Sequence, residues 1–140
     1  MNQPVLADTG PLVAYFDRSD SDHGWAKDCL TRFTQPLQTC EAVIAETLFL
    51  LRRGGISPQP LLKLIARGIL LPTFSLRNEA AQVAVLIMRY QDLPMSLADA
   101  CLVRMAELDD QATVFTLDSN FFIYRKSNRR VLKVLSPKSS

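Results

Sequence analysis

The stretch that decides the fold is VLADTGPLVAYFD, residues 5–17. Residues 4–8 combine a leading proline, three apolar residues and an aspartate, which is typical of a short buried strand. Pro11 then stands where the first turn of a helix tolerates proline, so we expect a helix to about Asp17. A strand that enters a helix through a short polar turn is typical of the first unit of an α/β fold.

The remainder of the chain continues this alternation. Further strands are predicted at residues 37–39, 69–74, 113–117 and 130–135, and helices at residues 23–33, 41–53, 57–68, 77–90 and 96–108, with a short helix after the fourth strand. Strands separated by helices need crossover connections, which favour a mainly parallel sheet covered on both faces. With 140 residues the chain has the size of one domain, and we expect that domain to span residues 1–140.

Composition excludes several classes of protein. Hydrophobic residues make up 48% of the chain and charged residues 21%, so an intrinsically disordered chain is excluded. No apolar run reaches the roughly 18–20 residues of a membrane-spanning helix, and the longest, residues 42–51, is interrupted by Glu46. The first ten residues lack the layout of a signal peptide. Three cysteines without a CxxC pair suggest reduced thiols, so we expect a cytoplasmic protein without a membrane partner.

The residue types present also limit the chemistry. His23 is the only histidine in the sequence, whereas a zinc enzyme usually needs several ligands and a two-histidine ribonuclease needs a second imidazole. The sequence contains no GxSxG, GxGxxG or GxxxxGK[ST] motif, so serine hydrolases, dinucleotide-binding enzymes and P-loop enzymes have no support. Hydrolytic chemistry in this chain would therefore rest on carboxylates.

Two aspartates follow predicted strands in the same way. Asp8 ends PVLAD and Asp118 ends TVFTLD, and small polar residues follow each of them. If these strands are neighbours in a parallel sheet, their carboxyl ends meet at one edge and the two carboxylates lie close together. The alternative is helix capping, because an aspartate after a strand often caps the following helix.

Two more acids lie within apolar helical segments. Glu46 stands in AVIAETLFLL and Asp99 in SLADACLV, and a carboxylate with apolar neighbours needs a partner or a metal ion when it is buried. For Glu46 the alternative is an ion pair with a residue such as Arg52, or a narrow polar stripe on the helix. For Asp99 the alternative is a capping box that begins at Ser96.

These four carboxylates would repel one another if they met in one cleft, and each would raise the pKa of the others unless a cation were bound. Mg²⁺ or Mn²⁺ is suited to such a site, because both are hard ions that prefer oxygen ligands. One or two such ions can activate a water molecule and stabilise the leaving oxygen of a phosphodiester. The sequence thus predicts metal-assisted phosphodiester hydrolysis without histidine.

Four segments in this order resemble the PIN-domain family, in particular its small VapC-like toxin ribonucleases. The segments are VLADTGPLVAYFD, AVIAETLFLLRR, MSLADACLVRMAE and VFTLDSNFFIYR. The resemblance covers nearly the whole chain. It implies a three-layer α/β/α sandwich, an endoribonuclease that uses Mg²⁺ or Mn²⁺ to cleave RNA, a cognate antitoxin and a homodimer. It assigns catalysis and metal binding to Asp8, Glu46, Asp99 and Asp118.

The resemblance also suggests a supporting shell around these acids. Thr9 and Thr116 match small hydroxyl residues beside the first and last aspartates. Relatives commonly have a second acid two residues after the last aspartate, where this chain has Asn120. Asparagine can accept a hydrogen bond but has no charge, so a second metal ion would bind more weakly. We expect these three residues to orient water molecules or carboxylates.

Basic residues follow two of the acids closely. The net charge is only +2, from 16 Lys and Arg against 14 Asp and Glu, so the distribution of charge is more informative than its sum. We expect six basic residues to contact RNA phosphates, namely Arg52, Arg53, Arg125, Lys126, Arg129 and Arg130. The alternative is a solvated charged surface without a function.

Three other classes of protein compete with a nuclease. A haloacid-dehalogenase-type phosphatase needs a second aspartate two residues after the first, where this chain has Gly10. A response-regulator receiver needs paired acids after the first strand and a phosphoacceptor aspartate in mid-chain, and residues 52–55 contain none. A catalytically silent PIN-fold module that binds RNA or a protein partner is the third alternative, and Asn120 is the residue that favours it.

Overall fold

A computed structural model describes residues 3–138 of the chain. Five strands lie in this part of it: β1 (Val5–Ala7), β2 (Leu37–Thr39), β3 (Leu70–Pro72), β4 (Thr113–Phe115) and β5 (Lys133–Leu135). They form one sheet in the order β3-β2-β1-β4-β5, and every adjacent pair is parallel. The predicted parallel sheet is confirmed, and the two strands that precede Asp8 and Asp118 are neighbours within it.

Helices connect these strands. Over residues 3–138 they are α1 (Thr9–Phe16), α2 (His23–Arg32), α3 (Glu41–Arg53), α4 (Gln59–Ala66), α5 (Leu76–Arg89) and α6 (Leu97–Leu108), with a short 3-10 helix (Ser119–Phe122) after β4. Each corresponds to a predicted helix, and the ends differ from the prediction by no more than two residues. None of these helices is long and apolar enough to cross a membrane.

The last strand is shorter than predicted. It begins at Lys133 rather than at residue 130, because Arg125 and Val131 pair in an isolated antiparallel bridge. Between them the chain turns through Arg129, whose φ of 68° is unusual for a residue with a side chain. The basic C-terminal segment is therefore a turn rather than an extension of the sheet.

The core lies on both faces of the sheet. On one face the rings of Trp25 and Phe33 contact the ring of Phe115, each at 5.2 Å between centroids. Leu6 points to the opposite face from Ala7, the register partner of Phe115, and borders Met105 of α6. The predicted α/β/α sandwich is confirmed, and Cys29, Cys40 and Cys101 are buried free thiols, as expected.

The register of β1 and β4 positions the acids. Ala7 is the register partner of Phe115, and the N–H of Asp8 donates to the carbonyl of Phe115 at 2.9 Å. The two strands therefore end at the same level, and the residues that follow them leave the sheet at the same edge.

Glycines end two of the helices. The predicted stop after α3 is confirmed, since Gly55 has a φ of 75°, and Gly68 at 73° follows α4 in the same way. A left-handed residue after the last turn satisfies free carbonyls of the helix, and glycine adopts it without steric cost.

Gly68→Ala is expected to lower the free energy of unfolding by about 1 kcal/mol, because a Cβ disfavours the left-handed backbone. The nearest atom to an added Cβ is Leu71 Cδ2 at 3.9 Å, so the loss arises from the backbone and not from a clash. Urea unfolding followed by circular dichroism measures it. Gly24→Ala is the matched control, because Gly24 lies in α2 with nothing within 4 Å of an added Cβ. Equal losses in the two variants would contradict this explanation.

Candidate active site

A cavity of about 330 Å³ opens at the carboxyl ends of β1 and β4. The acidic residues that line it are Asp8, Asp20, Glu46, Asp99 and Asp118. The rest of the lining consists of Thr9, Gly10, Val13, Leu50 and Leu117. The structure therefore brings together the four acids named from the sequence and adds Asp20 to them.

Asp8 lies directly after β1 and is buried, with 6% of its surface exposed. The backbone N–H of Thr9 donates to its Oδ1 at 2.8 Å, and the hydroxyl of Thr116 donates to its Oδ2 at 2.6 Å. Asp8 is also the N-cap of α1, so the capping role and the place in the cavity belong to the same residue. Its carboxylate is held through both oxygens.

Thr116 joins Asp8 to Asp118. Its hydroxyl oxygen accepts a hydrogen bond from the backbone N–H of Asp118 at 2.9 Å, in addition to donating to Asp8. Asp118 is the N-cap of the 3-10 helix, and its Oδ1 accepts from the N–H of Asn120 at 2.9 Å. One threonine therefore fixes the two acids at the ends of neighbouring strands.

Asp99 lies in the first turn of α6. The side chain of Ser96 accepts from the N–H of Asp99 at 3.0 Å, so the predicted capping interaction is present. The hydroxyl of Tyr124 donates to Asp99 Oδ2 at 2.9 Å. Sequence reasoning missed Tyr124, because an aromatic residue after the last acid has no spacing that indicates contact with α6.

Glu46 and Asp20 line the rim of the cavity. Glu46 is exposed on α3, and within residues 3–138 it makes no hydrogen bond or salt bridge, so the alternative ion pair with Arg52 is not formed. Asp20 lies in the loop between α1 and α2, and its Oδ1 accepts from the N–H of Asp22 at 2.8 Å. Nothing in the sequence distinguished Asp20 from the other acids of this polar loop.

The cavity lining contains no Lys, Arg or His among the described residues. Burial raises the pKa of Asp8 to about 6; hydrogen bonds from Thr116 and Thr9 oppose this rise, and the charges of Asp99 and Asp118 add to it. Burial also raises the pKa of Asp99 and of Glu46, and the nearby charge of Asp118 raises both further. The carboxylates therefore repel one another, and a bound cation would relieve this repulsion.

Thr9 gives independent support for a cation in the cavity. Its hydroxyl oxygen is buried and has no hydrogen-bond partner within residues 3–138, although buried hydroxyls are normally bonded. A hydrated ion beside the acids would supply that partner. Oxygen is the donor atom of every polar side chain in the lining, which fits Mg²⁺ or Mn²⁺.

The carboxylates are not gathered around a single point. Across the described residues, no three His, Cys, Asp or Glu side chains are grouped as ligands of one ion. Asp8, Asp99 and Asp118 are each held by their own hydrogen bonds instead. The donor set thus fits a hard divalent cation in its chemistry, while its carboxylates remain bonded within the protein.

Two of the residues expected to bind phosphate are engaged within the protein. Lys126 is buried, and its Nζ lies 3.3 Å from Asp110 Oδ1, so its charge is already paired. The Nη1 of Arg125 donates to three consecutive carbonyls at 2.8–3.0 Å, which belong to Phe122, Ile123 and Tyr124. Neither side chain lines the acidic cavity. Both instead stabilise the segment after the 3-10 helix.

The other four of these basic residues are exposed. Arg52 and Arg53 end α3, the helix of Glu46, and they border a cavity formed by the outer side of that helix. Arg129 and Arg130 lie in the turn before β5, and Arg129 borders a separate cavity with Arg125. Of the six, only Arg52 and Arg53 share an element with an acid of the site.

The fold and the cavity together define a parallel α/β/α domain with acids at the carboxyl edge of its sheet. The family model described as the PIN domain matches residues 5–126, and the chain belongs to the PIN-domain family. Within it the chain is similar to ribonuclease VapC26 of Mycobacterium tuberculosis. The two are 31% identical over 124 residues, which cover 84% of this chain and 89% of VapC26.

A solved structure shares the fold. The crystal structure of Mycobacterium tuberculosis VapC20, a toxin that cleaves the sarcin-ricin loop, matches with a TM-score of 0.74 at 18% sequence identity. The match covers 83% of this chain and 91% of that chain. The sandwich architecture is therefore that of a VapC-like PIN domain.

Asp8→Asn is expected to change how stability depends on pH in the metal-free protein. The pKa of Asp8 is about 6 in the folded chain against an ordinary 3.8, so the folded state binds the proton more tightly. This contribution to stability is present below about pH 4 and is lost as the pH rises through about 6. Between pH 4 and 7.5 the wild type should lose about 2–3 kcal/mol that Asp8→Asn retains.

Urea unfolding in EDTA at several pH values measures this difference. Asp92→Asn is the matched control, because Asp92 is exposed and does not line the cavity, and this variant should follow the wild type. If the free energy of unfolding changed with pH equally in the wild type and in Asp8→Asn, the raised pKa of Asp8 would be contradicted.

Proposed function

We propose that this chain is a Mg²⁺- or Mn²⁺-dependent endoribonuclease that hydrolyses RNA phosphodiester bonds. The observation that carries the proposal is a cavity lined by five acids and, among the described residues, by no basic side chain, in a chain of the PIN-domain family. The relative VapC26 is named a ribonuclease, and VapC20 is a toxin that cleaves the sarcin-ricin loop. We therefore infer that RNA is the substrate.

Four carboxylates would hold the ion, directly or through water: Asp8, Glu46, Asp99 and Asp118. The bound ion supplies Lewis acidity that stabilises charge on the scissile phosphate. Asp8 is the fixed member of the set, because Thr9 and Thr116 hold both of its oxygens. Glu46 is the adjustable member, since its exposed side chain is free of hydrogen bonds within residues 3–138.

Three neighbouring residues support these acids. The unpartnered hydroxyl of Thr9 would orient water in the cavity, and Thr116 keeps Asp8 and Asp118 at one edge of the sheet. The backbone N–H of Asn120 donates to Asp118 Oδ1. Because Asn120 brings no charge, we propose one tightly held ion rather than two.

The exposed basic residues would bind the RNA backbone. Arg52 and Arg53 lie at the C-terminal end of the helix that carries Glu46 and border a separate cavity on its outer side, so RNA that extends past the acidic cavity along this helix would contact them. Arg129 and Arg130 would extend this contact along the C-terminal turn. Arg125 and Lys126 contribute less, because their charged groups are bonded within the protein.

We further propose that the protein is the toxin of a toxin–antitoxin pair. The similarity to VapC-like proteins supports this, and the resemblance to the family adds a cognate antitoxin and a homodimer. Exposed apolar side chains such as Phe49 on α3 and Met88 on α5 provide surface for protein contacts.

A silent PIN-fold module that binds RNA without cutting it is the second candidate. Two observations favour it: Asn120 stands where relatives commonly have an acid, and no three acidic side chains in residues 3–138 are grouped around one point. Cleavage assays distinguish the two candidates, because both would bind RNA but only the ribonuclease would cleave it.

The purified protein is expected to cleave single-stranded RNA in Mg²⁺ or Mn²⁺ and to stop when EDTA is added. Asp8→Asn should lower the cleavage rate by more than about 100-fold, because it removes a carboxylate from the ion-binding set. End-labelled RNA on denaturing gels measures the rate. Asp92→Asn should cleave like the wild type, since Asp92 lies outside the cavity. Equal cleavage by Asp8→Asn would contradict the proposal, and binding without cleavage by the wild type would favour the silent module.

Replacing Arg52 and Arg53 together with uncharged residues is expected to lower the affinity for RNA and to reduce the dependence of binding on salt. Two lost phosphate contacts should lower the slope of log K against log[salt] by about 1.4 for single-stranded RNA. Fluorescence anisotropy measures this in the Asp8→Asn background, where the RNA stays intact. The control removes Lys63 and Arg67, two exposed basic residues of the α4 region that are absent from the cavity lining. An unchanged slope after loss of the α3 arginines would show that they bind no phosphate.

A further inference from the structure

Tyr124 is the largest side chain that is fully buried in the described chain, and its hydroxyl is directed at an acid of the site. The hydroxyl donates to Asp99 Oδ2 at 2.9 Å. A buried tyrosine hydroxyl normally finds one partner, and many neutral groups of the core could serve. Here the partner is a carboxylate of the cavity, which makes the bond charge-assisted and stronger than a neutral one.

The ring of Tyr124 is held by aromatic neighbours. Tyr90 contacts it edge-on at 5.1 Å between centroids, and Phe121 does so at 5.3 Å. Because Tyr124 is fully buried and packs against both rings, its side chain is held in one position. A fixed donor 2.9 Å from Asp99 limits rotation of that carboxylate.

Tyr124 also connects the acid that follows β4, Asp118, with the acid on α6, Asp99. The backbone N–H of Tyr124 donates to the carbonyl of Asn120 at 2.9 Å, while the N–H of Asn120 donates to Asp118 Oδ1 at 2.9 Å. Backbone hydrogen bonds through Asn120 thus link Tyr124 to Asp118, while the Tyr124 hydroxyl reaches Asp99.

We propose that Tyr124 is a positioning residue whose hydroxyl holds the Asp99 carboxylate in the orientation that binds the metal ion. This inference rests on the proposed metal-dependent function. Groups that orient the ligands of a metal ion typically contribute 10–100-fold to metal affinity. Tyr124 acts through Asp99 and does not itself bind the ion.

Tyr90 provides a matched control within the same cluster. Its ring also packs against Tyr124, but its hydroxyl accepts from the backbone N–H of Arg125 at 2.7 Å and, within residues 3–138, bonds to no acid. Tyr124→Phe and Tyr90→Phe each remove one hydroxyl and keep the ring. Only Tyr124→Phe frees a carboxylate of the cavity.

Titration calorimetry of the metal-free protein with Mn²⁺ tests the proposal. Tyr124→Phe should raise the Kd for Mn²⁺ by about tenfold or more, whereas Tyr90→Phe should stay within about twofold of the wild type. Thermal unfolding in EDTA checks that both variants are folded. Tyr124→Met also lacks the hydroxyl and replaces the phenylalanine variant in the assay if that variant fails to fold.

Cleavage at rising Mn²⁺ concentration separates positioning from ligation. Tyr124→Phe should regain most of the wild-type kcat at saturating Mn²⁺ with an unchanged KM for RNA, while Asp99→Asn should not recover. A Kd for Mn²⁺ equal to that of the wild type would overturn the inference and leave the proposed ribonuclease intact. A wild type that neither binds Mn²⁺ nor cleaves RNA would overturn both.

Discussion

The site depends on the hydrogen bond from the Thr116 hydroxyl to Asp8 Oδ2, at 2.6 Å between residues 108 positions apart. It forms only because β1 and β4 are parallel neighbours that end at the same level. The same hydroxyl accepts from the N–H of Asp118, so one side chain fixes both strand-end acids. The close approach of α1 is part of this arrangement, since a Cβ at Gly10 would lie 3.1 Å from Leu117 Cβ.

Capping and chemistry are not alternatives in this fold. Asp8 caps α1, Asp118 caps the 3-10 helix, and Asp99 takes part in the first turn of α6. In a parallel sheet the helices begin where the strands end, so helix N-termini and strand ends meet at one edge. The N-terminal end of a helix carries partial positive charge and stabilises a carboxylate beside it. The fold can therefore keep acids near one another at this edge of the sheet.

Much of this arrangement could be predicted from the sequence. Two strand–turn patterns, each only a few residues long, indicate that Asp8 and Asp118 follow strands. The geometry of parallel sheets then places both residues at one edge. The role of Tyr124 could not be predicted, because it depends on how the segment after the 3-10 helix packs against α6. The ion pair of Lys126 could not be predicted for a similar reason, since its partner Asp110 lies 16 residues away in the sequence. Local patterns thus place backbone elements, while long-range packing decides which charges remain free.

The acids of the cavity do not contribute to the stability of the fold when they are charged. Burial raises the pKa of Asp8, Asp99 and Glu46, so each carboxylate is less favourable in the fold than in water when it is charged. An uncharged residue at position 8 would avoid this cost and could still cap α1. No lysine, arginine or histidine lines the cavity within the described residues, so the proposed cation would be what offsets this cost. With the proposed cation in the cavity, the surface would be more positive than the nearly balanced net charge of +2 suggests.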